Sequence, residues 1–311
     1  MAPASKRLVE PVIGARVRVG DVELAYDVFG TTGRPLVLIM GIGAQRVMWA
    51  DDMCRQFVAA GFRLARFDHR DIGESSRLDL PVPRPGRVLV RRMLNLRVDA
   101  PYTLSDMATD VAGLIEHLGF GNAHVVGTSL GGMIAQHLAI EHPDRVRSLT
   151  SIMSTPGGRR YLPKPHALGA LFRKPPRTAE QAGEHMVGVF ETIGSRAWPR
   201  EADRERIRRA GELAFTRGMS PQGFLRHFAA VMATYDRRPK LREIKAPTLI
   251  IHGSADPMFP LSAGRDMTRM IPNATWLPIA GMGHDLPIPL WPTLVNAIAR
   301  HAERADARAT V

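Results

Sequence analysis

Cysteine is nearly absent from this chain. Cys54 is the only one in 311 residues, so no internal disulfide can form, a usage that suits a reducing cytoplasm. Cys54 falls within a helical pattern after Trp49 and reads as a buried structural thiol rather than a nucleophile. No apolar run approaches the roughly 18 residues needed to cross a bilayer, so no stable membrane insertion is expected. Met1 to Glu10 is polar, carries Lys6 and Arg7 and leads into no apolar stretch, unlike a secretory signal. No His/Cys cluster has metal-ligand spacing, and no Gly-rich phosphate loop follows the first strand, so neither a metal nor a nucleotide cofactor is expected. Aromatic residues make up only 6% of the chain, which bears on its net charge of +12. The arginines are scattered rather than gathered into a stripe with stacking aromatics, so no nucleic-acid partner is expected. The charge can still draw anionic substrates or surfaces.

What the chain does have is Gly127-Thr128-Ser129-Leu130-Gly131, which fits Gly-x-Ser-x-Gly. The pentapeptide lies between an apolar run, Ala123 to Val126, and a helical run, Met133 to Ile140. A serine on a sharp strand-to-helix turn is held above the sheet edge with its hydroxyl exposed. Glycines on both sides relieve the crowding of a strained backbone. The helix that follows supplies amide donors beneath a developing oxyanion. The bland alternative is a glycine-rich turn of any α/β protein.

Two further segments argue against that alternative. Thr248 to Gly253 reads as an apolar strand with Asp256 just beyond it, and Thr275 to Ile279 as a second strand leading to Gly283-His284-Asp285. The order Ser129, Asp256, His284, each after a strand, is the serine–acid–histidine order of one hydrolase fold and not of the others. The neighbouring Asp285 is a weaker candidate for the acid, because adjacent side chains in a loop diverge.

These residues carry a resemblance. The chain resembles the α/β-hydrolases over nearly its full length, and most of all small-molecule esterases of the aclacinomycin methylesterase type. That closer likeness rests on Met40-Gly41, on Phe67-Asp68-His69-Arg70-Asp71-Ile72-Gly73-Glu74-Ser75 and on His124-Val125-Val126-Gly127. It implies a mostly parallel sheet flanked by helices, with a helical cap over the nucleophile. It also implies an oxyanion hole built from the backbone amides of Leu130 and of Ile42, in the loop after the Leu36–Met40 strand. The family often has His-Gly where this chain has Met40-Gly41. In the family, the Asp68–Arg70 segment mainly orders the loop near the active site.

Alternating strands and helices argue for the same parallel sheet. Arg16–Val19 and Val22–Phe29 flank Gly20-Asp21, a hairpin signal. Leu36–Met40, Leu64–Asp68, Ala123–Thr128 and Val146–Met153 read as further strands. Ser105 to Leu118 reads as a helix with Ser105 as N-cap and Gly119 as its stop. A last helix is expected over Pro292 to Ala302, followed by a frayed tail from Ala305 to Val311. Residues 155–240 break the alternation with prolines and then helical patterns over Ala179–Phe190, Glu201–Phe215 and Pro221–Thr234. The chain therefore divides into a core, 1–154 with 241–311, and a helical cap, 155–240. A second insertion, Arg77 to Pro101, holds Val88-Leu89-Val90-Arg91-Arg92-Met93-Leu94, basic and apolar together. It reads as a loop packed on the cap, or as an amphipathic lid or membrane-surface element.

The residue types specify chemistry. His284 accepts the Ser129 proton during attack and returns it to the leaving group, while Asp256 fixes the imidazole tautomer. Met40, Met153 and Met258, and also Met133 and Met282, fall near strand ends or the Ser129 turn and are candidates to line an apolar substrate pocket. His69, His137 and His252 lack a complementary nucleophile and read as surface or structural residues. Arg204, Arg206, Arg208 and Arg209 read as a solvated helix face. The expected activity is hydrolysis of small to medium, largely apolar esters, or of a methyl ester of a bulky polycyclic acid. Lactone hydrolysis, carbon–carbon bond hydrolysis and perhydrolysis use the same triad and remain open, as does a non-catalytic receptor on this fold. Epoxide hydrolase and haloalkane dehalogenase chemistry require aspartate where Ser129 stands.

Overall fold

The computed structural model describes residues 11–199 and 201–309. Met1 to Glu10, whose polar character was noted above, lies outside them. In chain order the elements are β1 Val12–Val19, β2 Val22–Phe29, β3 Arg34–Ile39, α1 Asp51–Ala59, β4 Phe62–Phe67, α2 Pro85–Met93, α3 Leu104–His117, β5 Ala123–Thr128, α4 Leu130–Glu141 and β6 Val146–Ile152. Then come α5 Pro165–Leu171, α6 Ala179–Ile193, α7 Glu201–Thr216, α8 Pro221–Ala233, β7 Thr248–Gly253, α9 Leu261–Met270, β8 Thr275–Ile279 and α10 Trp291–Ala309.

The strands form one sheet in the order β1-β2-β4-β3-β5-β6-β7-β8. The β1–β2 hairpin and its β4 junction are antiparallel; from β4 through β8 every pair is parallel. Parallel strands are covered on both faces and therefore need apolar residues at consecutive positions. In β3, Val37 and Ile39 join a core with Leu104, Ile134 and Met267, from α3, α4 and α9. The intervening Leu36 and Leu38 join a second core with Phe57, Leu294 and Ile298, from α1 and α10. The period-2 alternation of a strand thus feeds two layers of helix. Each fully buried aliphatic side chain contributes about 1.5–3 kcal/mol.

Several local expectations need correction. Helix α3 is capped by Thr103, not Ser105: Thr103 accepts from Asp106 N while Asp106 Oδ2 accepts from Thr103 N at 2.7 Å, a reciprocal capping box. The tail expected over Ala305–Val311 is helical as far as Ala309, and Thr310 and Val311 lie outside the described residues. Ala305 is buried, and Asp306 binds Arg34 at 2.9 Å and Arg147 at 3.0 Å, which ties the last turns to the sheet. The 155–240 stretch holds one more helix than its pattern suggested, α5, which starts at Pro165 in the N-terminal position that proline tolerates. The 77–101 insertion is not all loop; it contains α2, also begun by a proline.

The segment inserted between β6 and β7 is fastened to the rest of the fold by arginines, of which Arg226 and Arg237 are buried and Arg217 is half-buried. Arg217 Nη2 meets Glu74 at 2.6 Å and Asp68 at 3.2 Å. Arg226 Nη1 meets Asp71 at 2.9 Å, and Arg237 Nε donates to Gln136 at 3.0 Å. Asp68 also accepts from Arg46 N at 2.7 Å and pairs with the fully buried Arg46 side chain. Arg46 reaches Asp27 at 3.0 Å and Glu74 at 2.8 Å as well. This network ties the loop after β3 to the β4 end. The Asp-His-Arg-Asp-x-Gly-x-Ser segment therefore organises backbone, with Ser75 Oγ donating to Asp68 O at 2.6 Å.

Candidate active site

Ser129 sits between β5 and α4 with φ 53° and ψ −116°, a conformation that side chains rarely adopt. Its backbone is held by hydrogen bonds. Ser129 N donates to Ile152 O at 3.0 Å, and Ser129 O accepts from Ser154 Oγ at 2.8 Å and Gly132 N at 3.0 Å. The flanking glycines are needed for close approach. A Cβ on Gly127 would lie 2.2 Å from Gly131 O, and one on Gly131 would lie 2.1 Å from Ile39 O. Backbone atoms offer no side chain that could move aside. Among the described residues, Ser129 Oγ makes no protein hydrogen bond.

Asp256 and His284 meet across the C-terminal ends of β7 and β8. His284 Nδ1 lies 2.9 Å from Asp256 Oδ2. The other carboxylate oxygen, Oδ1, accepts from Met258 N at 2.7 Å and Phe259 N at 3.1 Å. Both residues are buried, and His284 N donates to Ile193 O at 2.8 Å. The neighbouring Asp285 turns elsewhere: its Oδ1 accepts from Ser195 N at 2.9 Å and from Ser195 Oγ at 2.5 Å. Burial pushes its carboxyl above the ordinary range, with the Ser195 hydrogen bonds opposing.

Ser129 and His284 line one cavity of about 420 Å³, roofed by the inserted helices. Met40, Met153 and Met258 line it, as does Ile42. A second cavity of about 70 Å³ also reaches Ser129 and Ile42; it adds Leu130 and Met133 but not His284. Met282 is packed in the core beneath instead. Among the described residues, the amides of Ile42 and Leu130 have no protein acceptor.

For the three histidines that read as surface or structural residues, the surface alternative is corrected. His69, His137 and His252 are all buried. His69 Nε2 is 2.9 Å from Met40 O, and burial lowers its pKa to about 4. A neutral ring donating to that carbonyl steadies the end of β3. His227, on α8, does the same for Arg70 O at 3.0 Å, with its pKa pushed down to about 3, first by burial and then by His69. Cys54 is buried and its thiol is pushed up to about 12 by desolvation, so it is chemically inert.

Of the four α7 arginines, Arg204, Arg208 and Arg209 pair with surface glutamates, as a solvated face would. Arg206 departs from that expectation: it lines the cavity, stacks on Trp291 at 5.6 Å and pairs with Asp203 at 3.1 Å. The sequence also gave no signal for Phe172, Phe224 and Trp291 as cavity walls, because they come from segments without motifs. No helix among the described residues is long and apolar enough to cross a membrane.

Comparison with known proteins agrees with this architecture. The rhodomycin D methylesterase of Streptomyces peucetius is 28% identical over 294 residues, covering 87% of this chain and 91% of that protein. A thermophilic esterase from Thermogutta terrifontis superposes with a TM-score of 0.66 at 25% identity, over 96% of this chain and 99% of its own. The enol-lactonase of Burkholderia xenovorans shares the fold, with a TM-score of 0.68 at 21% identity over 92% of this chain and 99% of its own. The likeness to small-molecule methylesterases read from the sequence is borne out. The family model for the alpha/beta hydrolase fold matches residues 34–289, and the chain belongs to that family.

Proposed function

We propose that this protein is a serine carboxylesterase acting on largely apolar esters through an acyl-enzyme, with Ser129 as nucleophile, His284 as base and Asp256 as the orienting acid. The observation that carries this reading is the Asp256–His284 hydrogen bond at the rim of a cavity that also exposes the strained Ser129. Asp256 holds Nδ1 protonated, which leaves Nε2 to take the serine proton and pass it to the leaving alcohol. The amides of Leu130 and Ile42 receive the oxyanion; removing one such donor typically costs about 3–4 kcal/mol of transition-state stabilisation. Residues 155–240 act as a cap that selects substrates, and 1–154 with 241–311 form the catalytic core. The apolar walls, with Met40, Met153 and Met258 among them, support an uncharged substrate.

The two cavities support a polarity for the ester. In the tetrahedral intermediate the leaving oxygen points to His284 and the oxyanion to the two amides, so the acyl chain takes the remaining direction. Ser129 and Ile42 line both cavities; the large one adds His284 and the small one adds Leu130. The alcohol moiety therefore occupies the 420 Å³ space and a short acyl chain the 70 Å³ space. A panel of p-nitrophenyl esters of rising acyl length, beside acetates of bulky alcohols, methyl esters of bulky acids and lactones, tests this. Acetates and butyrates of large alcohols are expected to turn over fastest, with all turnover lost in Ser129→Ala. Turnover retained in Ser129→Ala would overturn the mechanism. A preference for methyl esters of bulky acids would reverse the polarity and leave the mechanism standing.

A further inference from the structure

The segment between β4 and α3 has two unlike sides. On the inner side, Val88 and Val98 pack with Phe228 and Ala229 of α8. Phe228 in turn stacks edge-on against Phe172, with centroids 5.1 Å apart, and Phe172 lines the large cavity. On the outer side, Val90, Met93, Leu94 and Leu96 are 55%, 67%, 65% and 49% exposed. Val90, Met93 and Leu94 follow the i, i+3, i+4 spacing that puts side chains on one helix face. Large apolar side chains are seldom left exposed side by side on a soluble surface without a partner.

The same stretch is strongly basic. Between Val82 and Val98 the chain has Arg84, Arg87, Arg91, Arg92 and Arg97 and no acidic residue. Arg92 is used internally, lying over the Tyr235 ring at 4.3 Å. Arg91 donates to Arg97 O at 2.6 Å and faces Asp99 at 3.7 Å. Arg84, Arg87 and Arg97 are exposed, and no ion pair joins them to an acid among the described residues.

We infer that α2 and the turn after it, residues 82–97, form a peripheral docking surface for an anionic lipid bilayer. Met93, Leu94 and Val90 enter the headgroup–acyl boundary, and Arg84, Arg87 and Arg97 meet the lipid phosphates. Cations and insertable apolar side chains on one face are what an anionic lipid surface pairs with. A polyanion such as nucleic acid uses the cations but gains nothing from exposed Met and Leu, and stacking aromatics are absent from the patch. Docking here sets the wall of the substrate cavity one helix away from the membrane, a short route for an apolar ester dissolved in lipid. The inference stands apart from the proposed catalytic mechanism.

The test is co-sedimentation of the full chain with vesicles of phosphatidylcholine alone, and with vesicles in which a third of the lipid is phosphatidylglycerol. Partitioning is expected onto the anionic vesicles only, declining as salt rises. Arg84→Gln/Arg87→Gln/Arg97→Gln is expected to weaken it by roughly fivefold per charge, about a hundredfold in all. Met93→Ser/Leu94→Ser is expected to weaken it at least about tenfold. Both variants change exposed side chains, so melting temperature and turnover of a water-soluble p-nitrophenyl ester should match the parent. Failure of the parent to hydrolyse any ester would count against the proposed function and leave this measurement unaffected. Absence of sedimentation, or equal sedimentation with both vesicle types, overturns the inference. It is also overturned if the arginine variant loses binding while Met93→Ser/Leu94→Ser retains it and binds single-stranded DNA as tightly as lipid.

Discussion

The substitution Asp256→Asn is the sharpest probe of the site, because the surrounding hydrogen bonds dictate how the new amide must sit. Asp256 Oδ1 accepts from two backbone amides, Met258 N and Phe259 N. Only an oxygen can accept from both, so the asparagine carbonyl stays there and its NH₂ is forced toward His284. The 2.9 Å partner of that NH₂ is Nδ1, which must then accept rather than donate. The imidazole is driven into the tautomer with its proton on Nε2, and it can no longer receive the Ser129 proton. In a Ser-His-Asp triad the equivalent change lowers kcat about 10⁴-fold, or roughly 5.5 kcal/mol of activation free energy. The assay is steady-state hydrolysis of p-nitrophenyl acetate, with the melting temperature as a folding control. Asp285→Asn serves as the comparison; Asp285 binds Ser195 rather than the imidazole, so its loss of turnover should stay within about tenfold. Asp256→Asn activity within tenfold of the parent, or a larger loss in Asp285→Asn, would refute the reasoning.

Two further outcomes follow from the packing. Gly131→Ala puts a methyl carbon 2.1 Å from Ile39 O and 2.8 Å from Met40 O, both fixed backbone, so it should cost at least about 3 kcal/mol in a denaturant melt; a parental midpoint would contradict the close-approach argument. His69 and His227, held neutral by burial to about pH 4 and about pH 3, contribute stability that is complete above their unfolded value near 6.5. As pH falls below that value the unfolded chain takes up protons that the native state refuses, and stability is lost progressively toward pH 4. The melting temperature should therefore fall steadily between pH 7 and 4, and a rise over that range would count against this account.

The central strands were legible because a parallel sheet buried on both faces demands continuous apolar runs, and those runs are present in β3, β5 and β7. Ser129 was legible because glycine on both sides of a serine between strand and helix has a steric cause, now visible in the 2.1 and 2.2 Å approaches. Other features lacked a local signature. Ser105 looked like a cap by type, but the reciprocal bonds of Thr103 and Asp106 depend on backbone geometry. The end of α10 looked frayed because its anchor is remote: Arg34 and Arg147 are distant in sequence from Asp306. Whether a histidine faces solvent or a buried carbonyl, as His69 does, is likewise decided by tertiary packing. The same is true of Arg206, whose period on α7 gave no hint of Trp291 beneath it. The cavity wall Phe224 comes from α8, whose amphipathic pattern is ordinary, and Phe172 directly follows α5, which has no such pattern; only packing brings them to the cavity that Ser129 lines.

The proposed function requires Ser129 to be the one activated nucleophile. The direct measurement is labelling of the native protein with a fluorophosphonate, followed by digestion and mass spectrometry of the adduct. One adduct is expected, on the peptide containing Ser129, and none in Ser129→Ala. An adduct on another residue, or labelling that persists in Ser129→Ala, would contradict it.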